Sequence, residues 1–161
     1  MKYLPIAFYL GAVVLVNILF SYVPMIATPL GLLSPVAILV GTVFIFRDYA
    51  QRATGHLVLV AMVAATIISY MMADPFVAVA SALAFASSEI VDWILFTVTK
   101  KPFGERVFIS SLVATPVDTV VFLLWINDLS LGTFVLMVIS KMIASAVLWA
   151  MYRDREHIVT A

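Results

Sequence analysis

Long apolar runs separated by short polar breaks extend along the whole chain. Runs such as LVLVAMVAATIISYMMA, residues 57–73, are apolar on every side and do not alternate between polar and apolar positions. This pattern predicts membrane-crossing α-helices, because the strands of a transmembrane barrel are shorter and alternate strictly. Backbone groups in lipid must be hydrogen-bonded internally, which a helix achieves within its own segment.

Charges, prolines and glycines divide the chain into apolar runs close to the length of about 20 residues that a membrane-spanning helix needs. No segment outside these runs is long enough to fold separately, so residues 1–161 are predicted to form a single transmembrane domain. The second run is short and carries Pro35 and Gly41, so it is expected to be kinked or interrupted. The six predicted spans are 4–23, 33–46, 57–73, 75–99, 107–126 and 130–151.

Composition supports a membrane location. Of the 161 residues, 65% are hydrophobic and 11% are charged, which is more apolar surface than a soluble domain of this length can bury. The nine basic and nine acidic residues cancel, so the net charge does not favour a nucleic-acid partner. The absence of cysteine excludes disulfides, thiolate metal sites and cysteine nucleophiles.

The basic residues test the number of spans. With six spans and a cytoplasmic N-terminus, eight of the nine basic residues fall on the cytoplasmic side, whereas the only charged residues of the external turns are the acids Asp74 and Asp128. This one-sided placement is what the positive-inside rule predicts. We therefore expect an all-α integral membrane protein, a six-transmembrane-helix bundle with both termini cytoplasmic, in the inner or plasma membrane. The basic residues placed on that side are Lys2, Arg47, Arg52, Lys100, Lys101, Arg106, Arg153 and Arg155.

Four ionisable side chains fall inside the predicted spans: Glu89, Asp92, Asp118 and Lys141. Placing one charge at the bilayer centre costs roughly 2.5–3.5 kcal/mol on insertion scales, so such residues normally face a partner or a hydrated cavity. At about 1.5 Å per residue, three of them lie about 16–18 Å from a span end, near the midplane of a core about 30 Å thick. Asn17 reaches a similar depth. Several spans therefore contribute polar groups to one layer.

Two interpretations of this polar layer are open. In the first, Lys141 pairs with Asp118 or Glu89 and only holds the bundle together. One lysine leaves two carboxyl groups over, however, and these must be protonated, hydrated or available to a ligand. A polar, partly hydrated central site is the simpler explanation. Pro116, close to Asp118, predicts a bent or broken fifth helix at this level.

Two further groups are candidates for ligand contacts. Trp93 and Phe85 are close enough in sequence to cover a flat ligand, although tryptophans near span ends are more often interfacial anchors. Arg47, Asp48 and Gln51, at the predicted cytoplasmic end of the second span, form a candidate entry gate. Anchoring to lipid headgroups is the alternative explanation for this cytoplasmic polar cluster.

Several motifs of catalysis and channel gating are missing from the sequence. It has no phosphate-binding glycine loop, no HExxH spacing and no nucleophile elbow. It also has no repeated selectivity-filter sequence and no arginine ladder. We therefore expect a small-molecule carrier that is not an enzyme and uses no cofactor or metal.

Three segments resemble the motifs of one membrane-protein family. SEIVDWILF (88–96) and ISSLVATPVDTVVFLLW (109–125) look like the paired fourth- and fifth-span motifs of the queuosine precursor transporters, also called the vitamin uptake transporter (VUT) family. GTVFIFRDYAQRATG (41–55) resembles that family's second-span ending. The resemblance implies a six-helix transporter that imports 7-cyano-7-deazaguanine (preQ0) or a related 7-deazaguanine for queuosine biosynthesis.

By motif position, the resemblance assigns Asp92 and Asp118 to the substrate site, followed by Glu89 and Asp48. A carboxylate can accept the two adjacent N–H groups on the pairing edge of a guanine-type base. Lysine or asparagine at the same depth can donate to the ring carbonyl. The predicted substrate-binding residues are Glu89, Asp92, Asp118, Lys141, Asn17, Trp93 and Phe85.

Competing functions remain open at this point. The protein could transport its nucleobase substrate alone or as a homo-oligomer, by facilitated diffusion or by proton coupling through a carboxylate. It could instead be a substrate-binding subunit of an energy-coupling vitamin transporter, an S-component, which needs separate energising subunits. A structural or regulatory membrane protein, in which the charged layer is only an ion-pair network, is the third alternative.

Overall fold

The computed structural model of the protein describes residues 3–72, 78–127 and 129–159, and these residues are mostly helical. A short antiparallel hairpin, in which Ile26 pairs with Leu33, connects the first two helices. The helices are α1 (Leu4–Tyr22), α2 (Ala37–Thr54), α3 (Val58–Met72), α4 (Ala78–Val98), α5 (Phe103–Trp125) and α6 (Leu131–Val159), and the strands are β1 (Ile26–Thr28) and β2 (Gly31–Leu33).

Five helical segments are long and apolar enough to cross a membrane. One of them, Ala37–Met72, contains both α2 and α3. Large apolar side chains such as Leu15, Val60 and Ile139 are more than half exposed on the outside of the bundle, where they would contact lipid rather than water. The prediction of a helical, membrane-embedded protein is confirmed at this level.

The predicted second span is wrong at both ends. Pro35 precedes α2, which runs without interruption from Ala37 to Thr54. The helix therefore continues about two turns beyond Arg47, where the polar residues suggested an end. Gly55 ends it with a positive φ of 62°, and its N–H bonds to the carbonyl of Gln51. Glycine adopts such a positive φ without the steric cost that a Cβ would impose, so it suits the end of this helix.

The remaining boundaries lie within about four residues of the predicted spans, except for the end of α6, which is eight residues later. α5 begins at Phe103, four residues earlier than expected, and continues through Pro116, so the predicted break there is wrong. The β-hairpin is an element that the apolar pattern did not predict, and α6 extends to Val159. Asp74 and Asp128, the acids predicted in external turns, and Lys2 lie outside the described residues.

Contacts between side chains show how the helices run. Asn17, near the end of α1, accepts a hydrogen bond from Ser69, near the end of α3, and Ser69 also contacts Ser81, near the start of α4. These positions therefore share one end of the bundle with the β-hairpin, and we call it the hairpin end. At the opposite end, the hydroxyl groups of Tyr49 in α2 and Tyr152 in α6 lie 2.6 Å apart.

The hairpin is held against the start of α6 by very close packing. The backbone N–H of Leu32 donates to the hydroxyl of Thr133 at 3.3 Å. Gly31 has a φ of 144°, and a Cβ there would lie 2.6 Å from that same hydroxyl oxygen. A Cβ on Gly132 would overlap the carbonyl oxygen of Leu30. Both glycines are required by this contact.

α2 and α6 also pack at very short range. A Cβ on Gly41 would overlap the carbonyl oxygen of Lys141 and approach the side chain of Ala144 to 3.2 Å. The small residue lets the two backbones approach each other, as is common between helices in membranes. This contact fixes the position of Lys141 along the bundle axis relative to α2.

The substitution Gly41→Ala is expected to lower the free energy of unfolding by about 1–3 kcal/mol, because the added methyl group must push α2 away from α6. Gly11→Ala is the matched control, since a Cβ at Gly11 meets no atom within 4 Å. Thermal unfolding in detergent measures both. Equal unfolding temperatures for the two variants would contradict the packing described here.

Candidate functional site: a central cavity above buried charges

A cavity of about 610 Å³ lies inside the bundle, and every helix from α1 to α6 contributes to its wall. It reaches the surface at the hairpin end, where Phe20 and Met25 line it and are nearly half exposed. Its volume lies within the range of about 300–1,000 Å³ typical of small-molecule sites. The polar residues of its wall are Asn17, Ser21, Ser34, Ser69, Ser81, Asp118 and Lys141.

Four of the seven predicted substrate-binding residues line this cavity: Asn17, Phe85, Asp118 and Lys141. Counting residues from the span ends therefore correctly predicted that Asn17, Asp118 and Lys141, which are far apart in the sequence, lie at one depth of the bundle. The other three, Glu89, Asp92 and Trp93, are not among the residues of its wall. They lie further from the hairpin end, as their later positions in α4 require.

Asp118 and Lys141 form the ion pair at the deep end of the cavity. The Lys141 ammonium binds Asp118 Oδ2 and lies 3.2 Å from the hydroxyl oxygen of Thr119. Asp118 Oδ1 accepts a hydrogen bond of 3.2 Å from Ser88. Both carboxylate oxygens are thus engaged, and both charged side chains are buried except for a small surface toward the cavity. The predicted pairing of Lys141 is with Asp118 and not with Glu89.

A second buried cluster lies beyond the cavity and centres on Arg47, which is completely buried. Its Nη2 atom lies 2.5 Å from Asp48 Oδ1 and also contacts Asp92 Oδ2. Its Nη1 atom donates to Gln51 Oε1 at 2.5 Å, and Gln51 donates in turn to Thr97 at 2.7 Å. The planar guanidinium suits this role because it can contact several acceptors at once.

Glu89 occupies the edge of this cluster nearest to α1. The hydroxyl group of Tyr9 donates to Glu89 Oε2 at 2.8 Å, and Arg47 Nε lies 3.9 Å from the same oxygen. The other oxygen, Oε1, is buried and has no hydrogen-bond partner among the described residues. Glu89 is therefore held mainly by a neutral donor rather than by a cation.

The predicted location of Arg47, Asp48 and Gln51 at the exposed end of a span is wrong. All three are buried inside the bundle, and Arg47 and Asp48 lie a little less than two turns before the end of α2. Residue counting had therefore missed a cation and a carboxyl group in the interior. Two carboxyl groups expected to lack a partner, Glu89 and Asp92, face Arg47 instead.

Trp93 is not part of the cavity wall. Its ring makes an edge contact with His56, with ring centres 5.6 Å apart, and it packs against the apolar core that contains Tyr9. The indole N–H is buried without a hydrogen-bond partner among the described residues. Phe85 is the predicted aromatic residue that does line the cavity.

Aromatic rings and one arginine close the bundle at the end opposite the hairpin. The rings of Tyr49, Phe103 and Tyr152 pack together, with centres 4.7 and 5.4 Å apart. The Arg106 guanidinium donates to the carbonyl of Phe96 and lies 3.9 Å from the centre of its ring. The cavity is therefore separated from this end by the buried charges and then by an aromatic layer.

The described residues thus define a membrane-embedded helical protein with a polar-floored central cavity, a site that is suited to binding a small molecule. Comparison with family models, with curated proteins and with solved structures gives no match for this chain. The resemblance to the queuosine precursor transporters stays a prediction.

Replacing Arg47 by methionine should lower the free energy of unfolding by roughly 3–5 kcal/mol, because it leaves buried carboxyl groups without their cation. Arg52→Met is the control: Arg52 is exposed, and its contact with the Phe103 ring at 4.7 Å is worth about 1 kcal/mol or less. Thermal unfolding in detergent compares the two. A similar decrease in the free energy of unfolding in both variants would show that Arg47 is not the centre of the buried network.

Proposed function

We propose that the protein is a membrane transporter that imports a neutral 7-deazaguanine, preQ0 or a close analogue, into the cell through the central cavity. The observation that carries this proposal is the cavity of about 610 Å³ with a carboxylate and an ammonium group at its deep end. A purely structural ion pair needs no cavity beside it. The sequence resemblance supplies the identity of the base, and the geometry supports a ligand of that size and polarity.

The groups in the cavity complement a flat heterocycle with donors on one edge and a carbonyl nearby. Asp118 can accept adjacent N–H groups if it exchanges its bond from Ser88 or Lys141 for the ligand. Lys141 and Asn17 are donors for a ring carbonyl. Phe85 and Phe122 add aromatic surface to the cavity wall for the faces of the base.

The charge of the cavity favours an uncharged ligand. Asp118 and Lys141 neutralise each other, and the remaining polar wall residues are uncharged serines and an asparagine. A cationic or anionic ligand would therefore leave one charge unmatched in a low-dielectric site. The cyano group of preQ0 is neutral, whereas the aminomethyl group of preQ1 is protonated at neutral pH. We expect preQ0 to bind more tightly than preQ1.

The proposed topology has six membrane crossings, in which α2 and α3 cross separately. Both termini lie in the cytoplasm, and the membrane is the inner or plasma membrane. In support, Lys100 and Lys101 lie between α4 and α5 at the end opposite the hairpin, and Arg52 lies near the end of α2 on the same side. Basic residues favour the cytoplasmic face. In this orientation the structure is open to the outside and closed to the cytoplasm.

Purified protein should unfold at a higher temperature with preQ0, because a ligand that binds only the folded state stabilises it, by about 2.7 kcal/mol at a hundredfold excess over Kd. Guanine, queuine and preQ1 should give smaller shifts. The double variant Asp118→Asn with Lys141→Gln, which leaves neither buried charge without its partner, should remain folded and lose most of the shift, since an amide cannot accept both N–H groups. Glu105→Gln is the control, because Glu105 lies outside the cavity and pairs with Lys101.

Three outcomes separate the competing functions. Binding together with uptake by the protein alone in liposomes supports a self-sufficient transporter. Binding without uptake indicates a substrate-binding subunit of an energy-coupling transporter. A folded wild-type protein with no shift for any of the four bases would contradict the proposal and favour a structural ion pair.

A further inference from the structure

Of the buried carboxyl groups in the described part of the chain, Glu89 has the weakest contact to a cation. The other three buried carboxyl groups, on Asp48, Asp92 and Asp118, each touch an arginine or lysine nitrogen directly. The nearest cationic nitrogen to Glu89 is Arg47 Nε at 3.9 Å, which is longer than a hydrogen bond. Glu89 is nevertheless 99% buried.

The number of charges around these groups leaves one carboxylate unmatched. Among the side chains that the structure describes, the cations near these groups are Arg47, Lys141 and the half-buried Arg106, whose charge lies close enough to act on Asp48. Four buried carboxyl groups face these three cations. An uncompensated charge inside a membrane protein costs several kcal/mol, and a bound proton removes that cost.

The surroundings of Glu89 leave one oxygen for that proton. Tyr9 donates to Oε2, whereas the buried Oε1 has no hydrogen-bond partner among the described residues. The charged or titratable groups around Glu89 are Tyr9 on α1, Arg47 and Asp48 on α2, Asp92 on α4 and Asp118 on α5, which Lys141 on α6 contacts in turn.

Glu89 also lies next to the floor of the cavity. Its neighbour Ser88 donates to Asp118, and Phe85, one turn earlier on α4, is part of the cavity wall. Any ligand that changes the hydrogen bonds of Asp118 therefore acts on residues adjacent to Glu89. The Arg47 cluster lies on the other side, toward the closed end of the bundle.

We propose that Glu89 is a proton-binding site and that it couples transport of the ligand in the cavity to movement of one proton. In the state open at the hairpin end, a proton from water bonds to the Glu89 carboxylate. When the opposite end opens, that O–H bond breaks, the proton passes to water there, and the carboxylate is left facing Arg47. The coupling depends on the transport function proposed above, whereas the protonation of Glu89 does not.

Infrared difference spectroscopy of the protein in lipid tests the protonation without any ligand. The wild type at neutral pH should show the C=O stretch of a protonated carboxyl group. Glu89→Gln should lose this band, since its amide still accepts from Tyr9 but carries no carboxyl proton, and Glu105→Gln should keep it. Tyr9→Phe should shift the band, which assigns it to Glu89 even if Glu89→Gln does not fold. Absence of the band from the wild type, or its insensitivity to both changes, would overturn the proposal.

Uptake of preQ0 into liposomes tests the coupling. With an outside more acidic by about one pH unit, the wild type should accumulate preQ0 by up to about tenfold, the limit for one proton per molecule. Glu89→Gln should exchange preQ0 across the membrane without accumulating it. Exchange by the wild type without accumulation would overturn the coupling and leave the proposed function intact. If the wild type neither binds nor exchanges preQ0, the proposed function and the coupling fail, and the infrared result alone decides the protonation.

Discussion

The need to match every charge inside the membrane with a partner governs the arrangement of this protein. Among the described side chains, six charged ones on α2, α4, α5 and α6 are buried. Each of these helices must therefore bring its charge to the same depth in the bundle as a partner on another helix. The two resulting groups, one around Arg47 and one formed by Asp118 and Lys141, fix the helices at the centre of the bundle. Small residues such as Gly41 then let the backbones approach closely enough for these contacts.

The two groups of charges differ in what surrounds them. The Asp118 and Lys141 pair borders a cavity, so part of its hydrogen bonding can be exchanged for contacts with a ligand. The Arg47 cluster is enclosed on all sides by side chains and by the aromatic layer around Phe103, which favours a structural or coupling role over ligand contact. In the proposed transporter, the ligand site therefore lies next to a rigid charged layer, and changing which end of the cavity is open would require that layer to rearrange.

The sequence predicted the class of fold and part of the site. Counting residues from span ends located Asn17, Asp118 and Lys141 at one depth, because the rise of an α-helix is constant and lipid forces helices to cross completely. The sequence pattern also predicts that a span ends close to Arg47, which is wrong because α2 continues to Thr54. Pairing between helices depends on their rotation and packing, which a single sequence does not specify, and the short β-hairpin has no signal in an apolar pattern. Transport and its substrate remain proposals.

The most direct test of the central cavity uses the fact that the chain has no cysteine. A single cysteine at Ser81, in the cavity wall, is compared with one at Ser145, which is buried against Ser111 and is not part of that wall. A membrane-impermeant thiol reagent applied from outside should label the first and not the second, and preQ0 should slow the labelling. Labelling at position 81 that preQ0 does not change, or that occurs only from the cytoplasmic side, would contradict a ligand site in an outward-open cavity.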